Sequence, residues 1–95
     1  MRKKFFPIEQ LQEKIKKRKI KKIKIGLSHG VFDLLHLGHI KHFKEAKKNC
    51  NLLVVSVTAD QYVNKGPNRP AFNQHQRIEA LEAIDFIDYI VLFFF

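Results

Sequence analysis

The sequence predicts an α/β chain with a doubly wound parallel sheet, and three observations point to it. Stretches with helical periodicity alternate with apolar, β-branched runs. One of those runs, Leu52-Leu53-Val54-Val55-Ser56-Val57, is apolar almost throughout, the pattern of a parallel strand covered on both faces. A Gly-containing turn, Ser28-His29-Gly30, ends the first strand ahead of the next helical pattern.

Each element has its own warrant. Between Pro7 and Lys19, Ile8, Leu11 and Ile15 recur at helical spacing, and Pro7 suits a helix start. Ile20, Ile23, Ile25 and Leu27 then read as a strand running into the turn. A second helix is expected from about Gly38 to Asn49, with Ile40, Phe43 and Ala46 on its apolar side. After the second strand comes a loop, Asn64 to Phe72, holding Gly66, Pro67 and Pro70. Asn73 is the expected N-cap of a third helix that buries Ile78, Leu81 and Ile84. Ile87 to Phe93 forms the third strand. Strand, helix, strand, helix, strand is the mononucleotide-binding unit of a Rossmann-like fold. The chain therefore divides into a basic helix over residues 1–19 and an α/β domain over 20–95. The run Phe93-Phe94-Phe95 would expose an apolar patch, so the sheet is expected to be incomplete and covered by a missing segment or a partner.

Composition narrows the function. With 45% hydrophobic residues the chain is globular, and at 95 residues it is one small domain. A lone cysteine, Cys50, forms no internal disulfide, which fits a reducing cytoplasm. No apolar stretch reaches the ~18 residues a membrane span needs, and the start lacks the apolar core of a secretory signal. The net charge of +9 is concentrated between Arg2 and Lys24. A basic nucleic-acid-binding stripe is one reading of that segment. Lysines on a solvated face is the preferred one, because no aromatic residues are interleaved to stack bases.

The chemistry concentrates in Gly30-Val31-Phe32-Asp33-Leu34-Leu35-His36-Leu37-Gly38-His39, where the first strand gives way to a helix. Helix N-termini bind phosphate, and open α/β sheets bind ligands at the carboxyl ends of their strands. Gly30 and Gly38 let the backbone approach a ligand closely. His36 and His39, three residues apart, point the same way once the helix begins and can donate to a phosphoryl oxygen. Two plainer readings stand beside this one. One histidine caps the turn while the other packs, or the pair ligates a metal, for which the loop supplies no third ligand.

This stretch resembles the HxGH signature of the nucleotidyltransferase superfamily, which includes glycerol-phosphate cytidylyltransferase and heptose-phosphate adenylyltransferase. The resemblance extends through Thr58-Ala59-Asp60, Asn64-Lys65-Gly66-Pro67-Asn68-Arg69-Pro70 and Gln76-Arg77, and covers about Lys22 to Phe93. It looks nearest to the adenylyltransferase type found in proteins that also carry a ribokinase-like sugar kinase.

The resemblance implies transfer of a nucleoside monophosphate, AMP before CMP, from a nucleoside triphosphate to a phosphorylated small molecule such as a sugar phosphate. A cytidylyltransferase acting on glycerol 3-phosphate is the nearest alternative, and an inactive fragment is another. It also implies Mg²⁺ accompanying the triphosphate, and a homodimer or a covalently following sugar-kinase domain. By similarity, His36, His39 and Lys65 are catalytic, and Gly30, Val31, Phe32, Asp33, Gly38, Arg69 and Arg77 bind nucleotide. Each charged residue has a plain reading too: Lys65, Arg69 and Arg77 as surface residues, Asp33 and Asp60 as turn residues. Of the two aspartates, Asp33 is read as functional and Asp60 as structural. His29, His42 and His75 are read as structural. Two departures stand out. The Ser/Thr-rich turn and helix that complete the family's triphosphate site are not found before the sequence ends at Phe95, and Cys50-Asn51 replaces Gly-Asp, so a left-handed Cys50 would cost about 1 kcal/mol or more.

Overall fold

The computed structural model describes residues 3–19, 22–63, 66–67 and 70–94. Helix α1 spans Ile8–Lys19, β1 Ile25–Gly30, α2 Leu37–Lys48, β2 Leu52–Thr58, α3 Gln74–Glu82 and β3 Tyr89–Phe93, with a short 3₁₀ turn at Asp60–Tyr62. The three strands form one parallel sheet in the order β1-β2-β3. Gly30 lies opposite Val57, and Thr58 opposite Phe93, so all three carboxyl ends reach one rim.

The central strand β2 is buried along its whole length, as its apolar run predicts. Its alternation divides the core in two. Leu53, Val55 and Val57 join Ile90, Phe43 of α2, and Ile78 and Leu81 of α3 on one face. Val54 and Val91 meet Leu11 of α1 on the other. Helices therefore cover both faces, and α1 is part of the same fold rather than a separate basic unit.

Phe43 anchors α2 and is fully buried. Replacing it with alanine is expected to cost about 3–5 kcal/mol, a large share of the stability of so small a domain. Urea denaturation followed by circular dichroism measures this; a loss below about 1 kcal/mol would show that α2 is held by other contacts.

Some boundaries differ from expectation. The first strand starts at Ile25, Lys22 turns the chain with φ +54°, and Ile20 lies outside the described residues. Helix α3 closes at its C-cap Ala83, leaving Ile84 beyond it. Cys50 is not left-handed: among described non-glycine residues only Lys22 and Phe32 have positive φ. Asn49 ends α2 with φ −101°, and the Cys50 thiol donates to the Ala46 carbonyl at 3.3 Å, so the expected strain is absent.

The first residues hold a surprise. Ile90 N–H donates to the Lys4 carbonyl at 2.9 Å, and Phe6 N–H donates to the Ile90 carbonyl at 3.2 Å. The segment thereby covers the outer edge of β3, which an unpaired strand would otherwise expose. Lys4 is buried, and its ammonium donates to the Ile84 carbonyl at 2.6 Å. Among the described residues no helix is long and apolar enough to cross a membrane.

Candidate active site

Helix α2 begins at the rim where β1 ends, with His36 as its N-cap in an extended conformation. The Nδ1 of His36 accepts from Gly38 N–H at 3.0 Å. Reciprocally, the Nδ1 of His39 accepts from His36 N–H at 3.2 Å. This is a capping box, in which imidazoles take the places usually held by Ser or Thr and by Glu or Gln. The spacing of three in His-x-Gly-His is the spacing that motif requires. The reading in which one histidine caps and the other packs is replaced by one in which each caps for the other.

The box has a chemical consequence. A ring nitrogen that accepts a backbone N–H keeps its lone pair, so in the neutral imidazole the proton sits on the other nitrogen. The hydrogen-bond network thus assigns Nε2–H to both rings. The ring centroids lie 4.1 Å apart with 40° between their planes. His36 is exposed and His39 half-buried, so the pair stays at the surface of the rim.

Gly38 is what allows this. A Cβ there would stand 2.7 Å from the Cε1 of His36, inside contact distance, so a side chain would push the ring off the helix end. Gly30 has the matching role below. A Cβ on it would come within 2.8 Å of the Phe32 ring. That ring is buried, meets His39 edge-on at a centroid distance of 5.7 Å, and touches Phe43 at 5.3 Å. Phe32 thereby supports His39 from the core. Its φ of +53° is left-handed, a conformation that costs roughly 1–3 kcal/mol and persists only where its surroundings impose it.

Arg77 is engaged with protein atoms on all three of its nitrogens. Its side chain is wholly buried, although it is the expected triphosphate ligand. One Nη1 donates to the carbonyls of Val31 at 2.7 Å and Thr58 at 2.8 Å. Nε donates to the Phe72 carbonyl at 3.1 Å, and Nη2 pairs with Asp60 Oδ1 at 2.6 Å. A guanidinium so engaged ties the carboxyl ends of β1 and β2 to the segment before α3. Asp33 is likewise turned inward: its carboxylate accepts from Ala71 N–H at 2.9 Å and Phe72 N–H at 3.0 Å. Both residues hold protein backbone, and the Val31 carbonyl is taken up by Arg77. Asp60, read as structural, is the partner of the buried arginine. The expected N-cap Asn73 accepts from Gln76 N–H at 2.8 Å and opens α3.

Lys65 and Arg69 lie outside the described residues. Among the described residues no group of three His, Cys, Asp or Glu side chains could hold a metal ion. The carboxylates nearest the rim, Asp33 and Asp60, are committed to backbone amides and to Arg77, so the described residues do not form a cage for Mg²⁺. A largely apolar recess opens between the 32–35 turn and α3, lined by Phe32, Leu35, Phe72, Gln76 and Ala80, with Asp33 and Arg77 at its wall.

Residues 27–93, which hold all of the sheet but the first two residues of β1, together with the paired histidines and Arg77, match the cytidylyltransferase-like family. The chain belongs to that family. The bifunctional protein HldE of Hyphomonas neptunium is 34% identical to it over 89 residues, 92% of this chain. Its counterpart in Geobacter metallireducens is 42% identical over 72 residues, 74% of this chain. The chain spans 18% and 15% of these relatives' lengths. Among solved structures, the lipopolysaccharide core biosynthesis protein of Thermoplasma volcanium superposes with a TM-score of 0.69 at 34% identity, over 75% of this chain and 58% of that one. The cytidylyltransferase-like match leaves α1 outside and takes in every residue of the capping box.

Proposed function

We propose that this cytidylyltransferase-like domain transfers AMP, in preference to CMP, from a nucleoside triphosphate to the phosphate of a small acceptor such as a sugar phosphate. The observation that carries this reading is the reciprocal capping of His36 and His39, which fixes both imidazoles near the carboxyl end of the first strand with Nδ1 as the accepting nitrogen. In the proposed reaction an acceptor phosphate oxygen bonds to the α-phosphorus. The bond from that phosphorus to the α,β-bridging oxygen breaks, and pyrophosphate leaves with the electron pair. Charge builds on the non-bridging and leaving oxygens, where preorganised donors act most strongly. No protein nucleophile is needed, so placing two neutral donors is what the turn contributes. Mg²⁺ would arrive on the triphosphate and neutralise part of its charge.

Preference for AMP and for a sugar phosphate is supported by the resemblance to heptose-phosphate adenylyltransferases and by relatives that are HldE proteins. A covalently linked sugar kinase is proposed on the same ground. Incubating the protein with ATP or CTP and a panel of sugar 1-phosphates, and measuring pyrophosphate, tests the reading. Release that requires ATP and an acceptor together is expected. Absence of release with every pair overturns it.

Gly38→Ala separates site from fold. Alanine is a better helix former by about 0.5–1 kcal/mol, which offsets most of a cap worth about 1 kcal/mol. Thermal stability should therefore hardly change. The displaced His36 ring should lower the rate of pyrophosphate release about 100-fold. A variant as fast as wild type would show that the ring's place at the helix end is immaterial.

A further inference from the structure

Two buried side chains, Asp33 and Arg77, grip the chain on either side of the most strained residue of the turn. Val31, just before Phe32, has its carbonyl held by Arg77 at 2.7 Å. Asp33, just after it, has each carboxylate oxygen on a backbone N–H of Ala71 or Phe72. The two grips are reciprocal, since Arg77 also donates to the Phe72 carbonyl. Phe32 lies between them with φ +53°, its ring against Gly30 and edge-on to His39. A left-handed phenylalanine persists only where the surrounding structure over-determines it, and here the residues on both sides are held.

We infer that Asp33 and Arg77 are positioning residues: together they hold Phe32 in its left-handed conformation, and through the Phe32 ring they set the His39 imidazole. This deepens the transferase reading, on which its catalytic meaning rests. It gives the buried pair a task that ordinary packing does not require. The fold needs the segment at 71–72 to be fastened somewhere. Fastening that segment alone would not call for grips on both sides of Phe32, yet both are present.

The test begins on the unaltered protein without nucleotide. Native-state hydrogen exchange should show the Ala71 and Phe72 amides protected, because each donates to a buried carboxylate. Free exchange of either amide would overturn the inference whatever the variants do. Asp33→Asn then keeps the size of the side chain and removes one of its two acceptors. Exchange at Ala71 and Phe72 should rise about tenfold or more, while Val55 in the central strand should change less than about twofold. The His39 ring resonances, shifted by the nearby Phe32 ring, should move toward those of a free imidazole. The dissociation constant for inorganic pyrophosphate should rise about tenfold, as expected for one misplaced donor. Asp33→Ser, smaller and still able to accept from one amide, serves as the second variant and should give the same pattern. Faster loop exchange with His39 resonances unchanged would reduce both residues to loop fasteners and overturn the inference. Resonances and exchange are read without any nucleotide. A protein that binds no pyrophosphate would therefore count against the transferase reading and leave the positioning claim to those two measurements.

Discussion

Arg77→Leu should cost the domain about 3–5 kcal/mol, chiefly because it strips three backbone carbonyls of a buried donor, the ion pair adding less since the Asp60 side chain is 39% exposed. Leucine fills much of the volume but offers no donor. The carbonyls of Val31, Thr58 and Phe72 would all lose a bond, and Asp60 would lose its counter-charge. Unsatisfied buried acceptors cost about 1–3 kcal/mol each where water cannot reach them. Partial solvation of the rim keeps the total below their sum. Because a small domain has only about 5–15 kcal/mol in all, much of this variant should be unfolded at physiological temperature. Urea titration by circular dichroism measures the loss. A variant within about 1 kcal/mol of wild type would show that the carbonyls find water and that the arginine is dispensable to the fold.

His36→Asn should abolish most of the transfer while leaving the fold intact. Asparagine is among the best N-caps, so the first turn of α2 keeps a side-chain acceptor and stability should shift by only a few tenths of a kcal/mol. The imidazole Nε2–H has no replacement in that position. Loss of one preorganised donor to a developing oxyanion lowers turnover about 100- to 1000-fold. The effect should fall on kcat rather than on the KM for the triphosphate, since the donor is needed most as charge develops. The double replacement of His36 and His39 should lose less than the product of the single losses, because each ring holds the other. Steady-state kinetics of pyrophosphate release read all three variants. An unchanged kcat for His36→Asn would separate the capping function from any chemical one.

The fold was legible in the sequence wherever one physical signal dominated. Leu52 to Val57 announces a strand buried on both faces, and Asn73 with Gln76 announces the start of α3. Edges were less legible. The pairing of Lys4 and Phe6 with Ile90 leaves no periodic trace in three residues, and a lysine is not expected to be buried. At the site, the histidine spacing was readable as a shared direction. The reciprocity of the caps was not, because it depends on where each ring nitrogen lies. The fate of Arg77 was hidden for a related reason. An arginine one turn into a helix looks the same whether it meets a ligand or three carbonyls, and only the sheet's register brings Val31 and Thr58 within its reach. A left-handed Phe32 also has no sequence signal, since phenylalanine ordinarily avoids that region.

Every step from turn to chemistry depends on which nitrogen of each imidazole carries the proton. A two-bond ¹H–¹⁵N correlation spectrum of the histidine rings at neutral pH reads this directly. For His36 and His39 we expect an unprotonated Nδ1 and a protonated Nε2, with the Nε2 signals of those two rings moving first as inorganic pyrophosphate is added. A proton on Nδ1 of either ring would contradict the reciprocal cap and with it the placement of both donors.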